Sequence, residues 1–227
     1  MKHATFGLAM AGLAATGPHL PAAAEDEKKA AMFVVIENGA TATEPEAITH
    51  TLRNLFGEIV EQRNSRATRQ TEINIITSAN PTAVTWSGSA QDLFDQGQAV
   101  MDAITFEQTC SDVVRAWDQV DTLVMLRAPE IVDLVSVGPA IQYGFPCESA
   151  TISLPQAMPQ ELKLGDLAHS ARSLRMYDVH PDQDEALAAH FAQTGVLARG
   201  HAGELELEVR DPAGTRALYG NLLGGRR

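Results

Sequence analysis

Phe33-Val34-Val35-Ile36-Glu37-Asn38-Gly39-Ala40-Thr41 is the stretch whose reading decides the fold. Four consecutive apolar, β-favouring residues read as a strand buried on both faces, since a half-exposed strand alternates apolar with polar positions. The small and polar residues after Ile36 lead into Thr43-Glu44-Pro45-Glu46, a helix start in which Thr43 caps free N–H groups and Glu46 reaches back in a capping box. Ile48, Leu52, Leu55, Phe56 and Ile59 then recur at helical spacing and give one buried stripe.

The same alternation continues outward. Thr71 to Thr77 is a second strand, and Asn80-Pro81 turns the chain into a third over Ala83 to Trp86. Two helical faces follow, one through Leu93, Val100, Met101 and Ile104, the other through Val113, Trp117, Val120 and Val124, with Pro129 ending the second. Ile131 to Val137 reads as a central strand that Gly138-Pro139 terminates, and Ala150 to Leu154 as a short additional one. Next come a helix over Lys163 to Arg172, a strand over Leu174 to Val179, and a helix opened by His180-Pro181-Asp182. Glu204 to Val209 alternates glutamates with apolar residues, which suits an edge strand, and Pro212 to Leu223 closes the chain as a helix. Strands alternating with helices predict an α/β, doubly wound fold: a mostly parallel central sheet flanked by helices on both faces, with an antiparallel edge strand.

Composition bounds the function. Residues 1–24 read as a signal peptide, with Lys2 at its positive end, an apolar stretch over Phe6 to Ala15, and a cut after Ala22-Ala23-Ala24; an apolar tail or uncleaved anchor is the alternative. Residues 25–30 form a short charged linker and 31–227 a single domain. The chain carries 17 basic against 29 acidic residues, a net charge of −12, which disfavours nucleic acid and anionic membrane surfaces as partners. No span is expected to remain after signal removal. The two cysteines, Cys110 and Cys147, most simply pair in an oxidising compartment, with two free thiols as the alternative.

The order strand, helix, strand pair, two helices, core strand, then further alternation resembles the von Willebrand factor type A domain over Ala31 to Leu223. In that family the first strand ends in Asp-x-Ser-x-Ser. A threonine before the third helix and an aspartate after the next core strand complete a magnesium site that accepts a partner's carboxylate. Here the motif reads Glu37-x-Gly39-x-Thr41, the threonine position falls near Thr109 or Ser111, and the core strand ends Ser136-Val137-Gly138. The resemblance therefore implies a degenerate metal site with Glu37, Thr41 and Thr109 as its remaining candidate ligands, and no tightly held magnesium or other cofactor. It also places Cys110 and Cys147 at the same rim, where a disulfide would pin the two loops that a metal normally organises.

A protein-binding module follows from that resemblance: a non-catalytic one, periplasmic or secreted, acting as a monomer or in a transient complex with another envelope or secreted protein. Adhesion, secretion or pilus machinery and envelope assembly are the settings the family implies. The expected contact residues are Glu37, Asn38, Thr41, Thr109, Ser111 and Gly138, all at predicted loop tips. Asp178, His180 and Asp182 form the sharpest alternative cluster, at the end of a predicted parallel strand where α/β proteins gather ligands. They would serve an exported metal-dependent hydrolase. A small-ligand-binding protein of the same fold is a further alternative.

Overall fold

One sheet organises the computed structural model, which describes residues 30–42, 44–106, 111–141, 158–159 and 161–224. Its described strands are β1 (Ala30–Ile36), β2 (Thr71–Thr77), β3 (Asn80–Gly88), β4 (Ile131–Val137), β5 (Ser173–Tyr177) and β6 (Glu206–Val209). They lie in the order β3-β2-β1-β4-β5-β6, parallel throughout except that β3 runs antiparallel to β2 at one edge. The described helices are α1 (Pro45–Glu61), α2 (Arg66–Arg69), α3 (Ala90–Ala103), α4 (Val113–Arg127), α5 (Leu164–Ser170), α6 (Asp184–Gln193), α7 (Val196–His201) and α8 (Pro212–Ala217).

The apolar run in β1 explains its central place. Phe33 and Val35 point to one face and join Trp117 and Val120 of α4, Leu167 of α5 and Phe191 of α6. Val34 and Ile36 point to the other and join Leu52, Leu55 and Ile59 of α1 and Leu93 of α3. All four β1 side chains are fully buried. Each stabilises the fold by about 1.5–3 kcal/mol relative to exposure, so a one-residue slip, which would exchange the faces, is strongly disfavoured. In-register pairing of β1 with β2 and β4 carries this strand's C-terminal end to the middle of the rim. From there the chain builds outward first on one side and then on the other. The switch point between β1 and β4 is where folds of this kind open a crevice.

Several boundaries differ from the expectations. α1 begins at Pro45 with Glu44 as its N-cap and no cap hydrogen bond from the Glu44 side chain; the capping box expected between Thr43 and Glu46 falls on Thr43, which lies outside the described residues. A capping box is present at α3, where Ser89 and Asp92 exchange hydrogen bonds that hold the Asp92 carboxyl below its ordinary pKa. The helix opened by His180 starts with a single 3-10 turn, Pro181–Gln183, before α6. The closing helix stops at Ala217 rather than reaching Leu223. The reason is tertiary: the buried Glu58 carboxylate of α1 accepts the backbone N–H groups of Leu222 and Leu223 at 2.8 and 3.0 Å, and Gly220 supplies a left-handed turn (φ +84°). Tyr177 donates its hydroxyl to the Leu222 carbonyl and fixes the same tail. The additional strand expected over Ala150 to Leu154 lies outside the described residues.

Candidate functional site

Glu37 follows the last residue of β1 and is fully buried. Its backbone N–H donates to the Val137 carbonyl at 3.0 Å, so it continues the pairing with β4. Its carboxyl group reaches the segment after β4, where Oε1 accepts the Ala140 N–H at 2.7 Å and Oε2 the Ile141 N–H at 3.2 Å. Burial pushes its pKa up to about 8, and the two backbone donors only partly oppose that rise. Gly138 makes the approach possible. Its backbone sits at φ +141°, and a Cβ there would stand 2.5 Å from the Glu37 Cβ.

Asn38 ties the rim in the other direction. Its Nδ2 donates to the Thr105 carbonyl at 2.8 Å, its Oδ1 accepts the Ala79 N–H at 3.0 Å, and its backbone N–H donates to Ser78 Oγ at 3.3 Å. Ser78 Oγ lies 2.6 Å from Ser111 Oγ, and the Ser78 carbonyl accepts the Asp112 N–H at 2.9 Å. One side chain thus connects the ends of β1, β2 and α3, while Ser78 extends the connection to the start of α4. Asn38 was expected only as a contact residue, and Ser78 carried no distinguishing motif.

The structure brings Glu37, Asn38, Thr41, Ser111 and Gly138 to one rim, as the resemblance implies, but it buries all five. The expectation of open loop tips does not hold for them. Their polar atoms mostly satisfy neighbouring loops, and they shape the surface from beneath. Thr109, Cys110 and Cys147 lie outside the described residues. The described groups do not by themselves fit a magnesium ion. Both Glu37 oxygens are engaged by backbone donors, the Ser78 and Ser111 hydroxyls bond each other, and Val137 and Gly138 supply no side-chain oxygen where the family has its aspartate. Thr41 Oγ1 is buried without a hydrogen-bond partner among the described residues, one hydroxyl where an octahedral site needs several oxygens.

Asp178 and His180 line one cavity of about 260 Å³ farther along the same rim, together with Glu44, Pro139, Asp211 and Arg216. Asp182 is exposed and contributes its backbone N–H to His180 Nδ1 at 3.2 Å. Among the described residues no three His, Cys, Asp or Glu side chains are grouped so that they could hold a metal ion. A larger cavity of about 630 Å³ opens at the opposite edge of the sheet. Its buried charges are already satisfied: Asp133 pairs with Arg172 and accepts the Ser173 hydroxyl, and Arg175 bonds Ser173 and Glu206. Asp133 and Arg175 were not singled out from the sequence, although a charge inside an apolar strand run is the signal that could have found them.

No protein-family model matches the sequence, and no curated protein matches it. Solved structures do. The pilus adhesin SpaC from Lactobacillus rhamnosus GG, in its open conformation, superimposes with a TM-score of 0.52 at 12% identity over 86% of this chain. A second form of that adhesin gives 0.51 at 11% identity, also over 86% of this chain and 30% of the adhesin. The SpRpn10 VWA domain gives 0.48 at 12% identity, covering 81% of this chain and 88% of that one. This chain spans about 30% of the length of the adhesin it matches. At such identities the likeness is one of fold. Strand order, the antiparallel β3 and the superposition on the adhesin together give this chain a von Willebrand factor type A-like fold.

Proposed function

We propose that this protein is an exported, non-catalytic interaction module that engages another envelope or secreted protein through the C-terminal rim of its sheet. The observation that carries the reading is the self-contained rim. Glu37 and Asn38 fix the loops after β1, β2, α3 and β4 by hydrogen bonds to the protein's own backbone. A surface held in this way is ordered before a partner arrives, and binding then costs less conformational entropy. The adhesin neighbour supports protein binding as the general use of this fold. The predicted signal peptide and the acidic charge support a partner outside the cytoplasm that is itself a protein.

Site-specific photo-crosslinking in cells tests the proposal. A photoreactive residue at the exposed rim positions Glu44, Asp182 or Ala213 is expected to give a discrete protein adduct, while the same probe at the exposed positions Glu72 and Glu130 near the opposite edge gives none. Adducts confined to the opposite edge would refute the assignment of the rim. The competing hydrolase reading rests on Asp178 and His180, but the described lining of their cavity includes no serine, threonine or cysteine nucleophile. Ester or phosphoester turnover by purified protein that Asp178→Asn abolishes would favour it instead.

A further inference from the structure

Asp178 is the first residue after β5, and it adopts a left-handed backbone (φ +59°) that few residues other than glycine, asparagine and aspartate take. Three hydrogen bonds hold it there. Its own N–H donates to Thr215 Oγ1 at 2.9 Å, the Val179 N–H to the Arg210 carbonyl at 3.0 Å, and the His180 N–H to the Pro139 carbonyl at 3.1 Å. The side chain is only 5% exposed, and neither carboxylate oxygen has a hydrogen-bond partner among the described residues.

The hydroxyls of Thr51 and Thr215 lie close enough to favour its charged form, as does the nearby Arg216. Thr215 Oγ1 accepts the Asp178 N–H and Thr51 Oγ1 lies 3.1 Å from the Tyr219 hydroxyl, so these two hydroxyls bring at most two neutral protons to the four acceptor sites of the carboxylate. Burial is the larger influence and raises the Asp178 pKa. A buried carboxylate with so few donors is costly, and native proteins retain such a group where something else completes its hydrogen bonding. Among the described residues the cavity it lines holds two further carboxylates, Glu44 and Asp211, against one guanidinium, Arg216, and the imidazole of His180. Asp211 already accepts the Gly214 N–H at 2.6 Å, which leaves Asp178 as the buried acceptor with capacity to spare.

We propose that this cavity receives a cationic side chain, the ammonium of a lysine or the guanidinium of an arginine, presented by the partner protein. An organic cation fits better than a metal ion. Among the described residues the lining groups are not clustered for metal coordination. The volume of about 260 Å³ exceeds that of a bare ion and equals several waters at about 30 Å³ each. An ammonium or guanidinium brings its own N–H donors to the Asp178 oxygens, and the surplus of negative charge around the cavity attracts it. The inference rests on the interaction-module reading only for the carrier of the cation; the cavity's preference is testable without that partner.

Isotope-labelled protein is titrated with Nα-acetyl-lysine amide, Nα-acetyl-arginine amide and, as the uncharged control, Nα-acetyl-norleucine amide, following the backbone amides of Asp178 and Thr215 by NMR. Saturable shifts are expected with at least one of the first two and none with the third; which one saturates names the side chain. Asp178→Asn keeps the shape and the left-handed tolerance. It should weaken binding about tenfold or more, the scale of one lost charge-assisted hydrogen bond, without lowering the melting temperature. Arg216→Gln removes the competing cation and should tighten binding. The proposal is overturned if neither cationic probe saturates, if norleucine amide binds equally well, if calcium or magnesium alone produces the shifts, or if Asp178→Asn binds as the wild type does. Failure of the probes leaves the crosslinking test of the rim standing, so the two readings fail separately.

Discussion

Glu37→Gln isolates the most unusual group in the rim. In the folded protein the carboxyl titrates near 8, against its ordinary 4.5 in an unfolded chain, because it is buried with only two backbone N–H donors for company. Between those values the folded state binds the proton more tightly than the unfolded state does. This contribution to stability is therefore fully present below pH 4.5, falls as pH rises, and is lost once pH passes about 8. At about 1.4 kcal/mol per pH unit, the wild type should lose about 2.5 kcal/mol from this group between pH 5.5 and 7.5. Glutamine cannot ionise, and its single oxygen can serve only one of the two donors, which costs about 1–3 kcal/mol at every pH. The variant should be less stable than the wild type at pH 5.5 and draw level with it, or overtake it, by pH 8. Urea unfolding followed by tryptophan fluorescence reads this directly, since Trp117 of α4 is buried in the core. Other titrating groups, such as Asp178 with its raised pKa and His190 with its lowered one, act on both proteins and cancel in the difference. A stability difference that stays constant from pH 5.5 to 8 would show that Glu37 is not a buried acid, and the account of the rim would fall with it.

Two further outcomes are expected. Gly138→Ala forces a Cβ to within 2.5 Å of the Glu37 Cβ at a backbone angle that side chains rarely adopt, so it should destabilise the fold by about 2–4 kcal/mol in the same urea assay; a loss under about 0.5 kcal/mol would mean the rim is looser than its hydrogen bonds imply. If Cys110 and Cys147 pair as the sequence suggests, exported protein should take up no alkylating agent before reduction, and Cys110→Ser should cost up to about 4 kcal/mol on the chain-entropy model. Two alkylated thiols in the unreduced protein would remove the pinned-loop idea.

Local signals carried the strands and the large helices, and non-local ones decided the rest. β1 and β4 are legible because both are unbroken apolar runs, and α1 because its stripe keeps helical spacing from Ile48 to Ile59. The closing helix was misjudged because Glu58, some 164 residues earlier, bends the tail by bonding Leu222. Glu37 had the same ambiguity: after a strand, a glutamate can ligate a metal, face solvent or be buried. Only the arrival of Ala140 and Ile141, over 100 residues later, decides among these. Asn38 was noticed for its position, but its bonds to Ala79 and Thr105 depend on how three elements converge. Asp178 and His180 were correctly placed together at a strand end, yet the burial of one and the cavity beside it come from α1 and α8, which contribute Glu44 and Arg216.

The chemistry of the rim divides along the same line. A cation at the β1–β4 switch point would need several converging oxygens, and here the sequence provides one carboxylate that the protein has already satisfied from its own backbone. The described loop ends after β1 and β4 are joined by two backbone donors to a carboxyl that burial drives toward its protonated form. Asp178 stands apart from these groups, displaced from the switch point toward β5 and β6, with neither carboxylate oxygen hydrogen-bonded among the described residues by strict geometry. An unsatisfied acceptor beside a negatively charged cavity attracts a positive ligand, the opposite of a metal site that waits for a partner's carboxylate. If the fold has kept a binding rim while losing the ion, reversing the sign of the group it recognises is the change that the placement of Glu37 and Asp178 would produce.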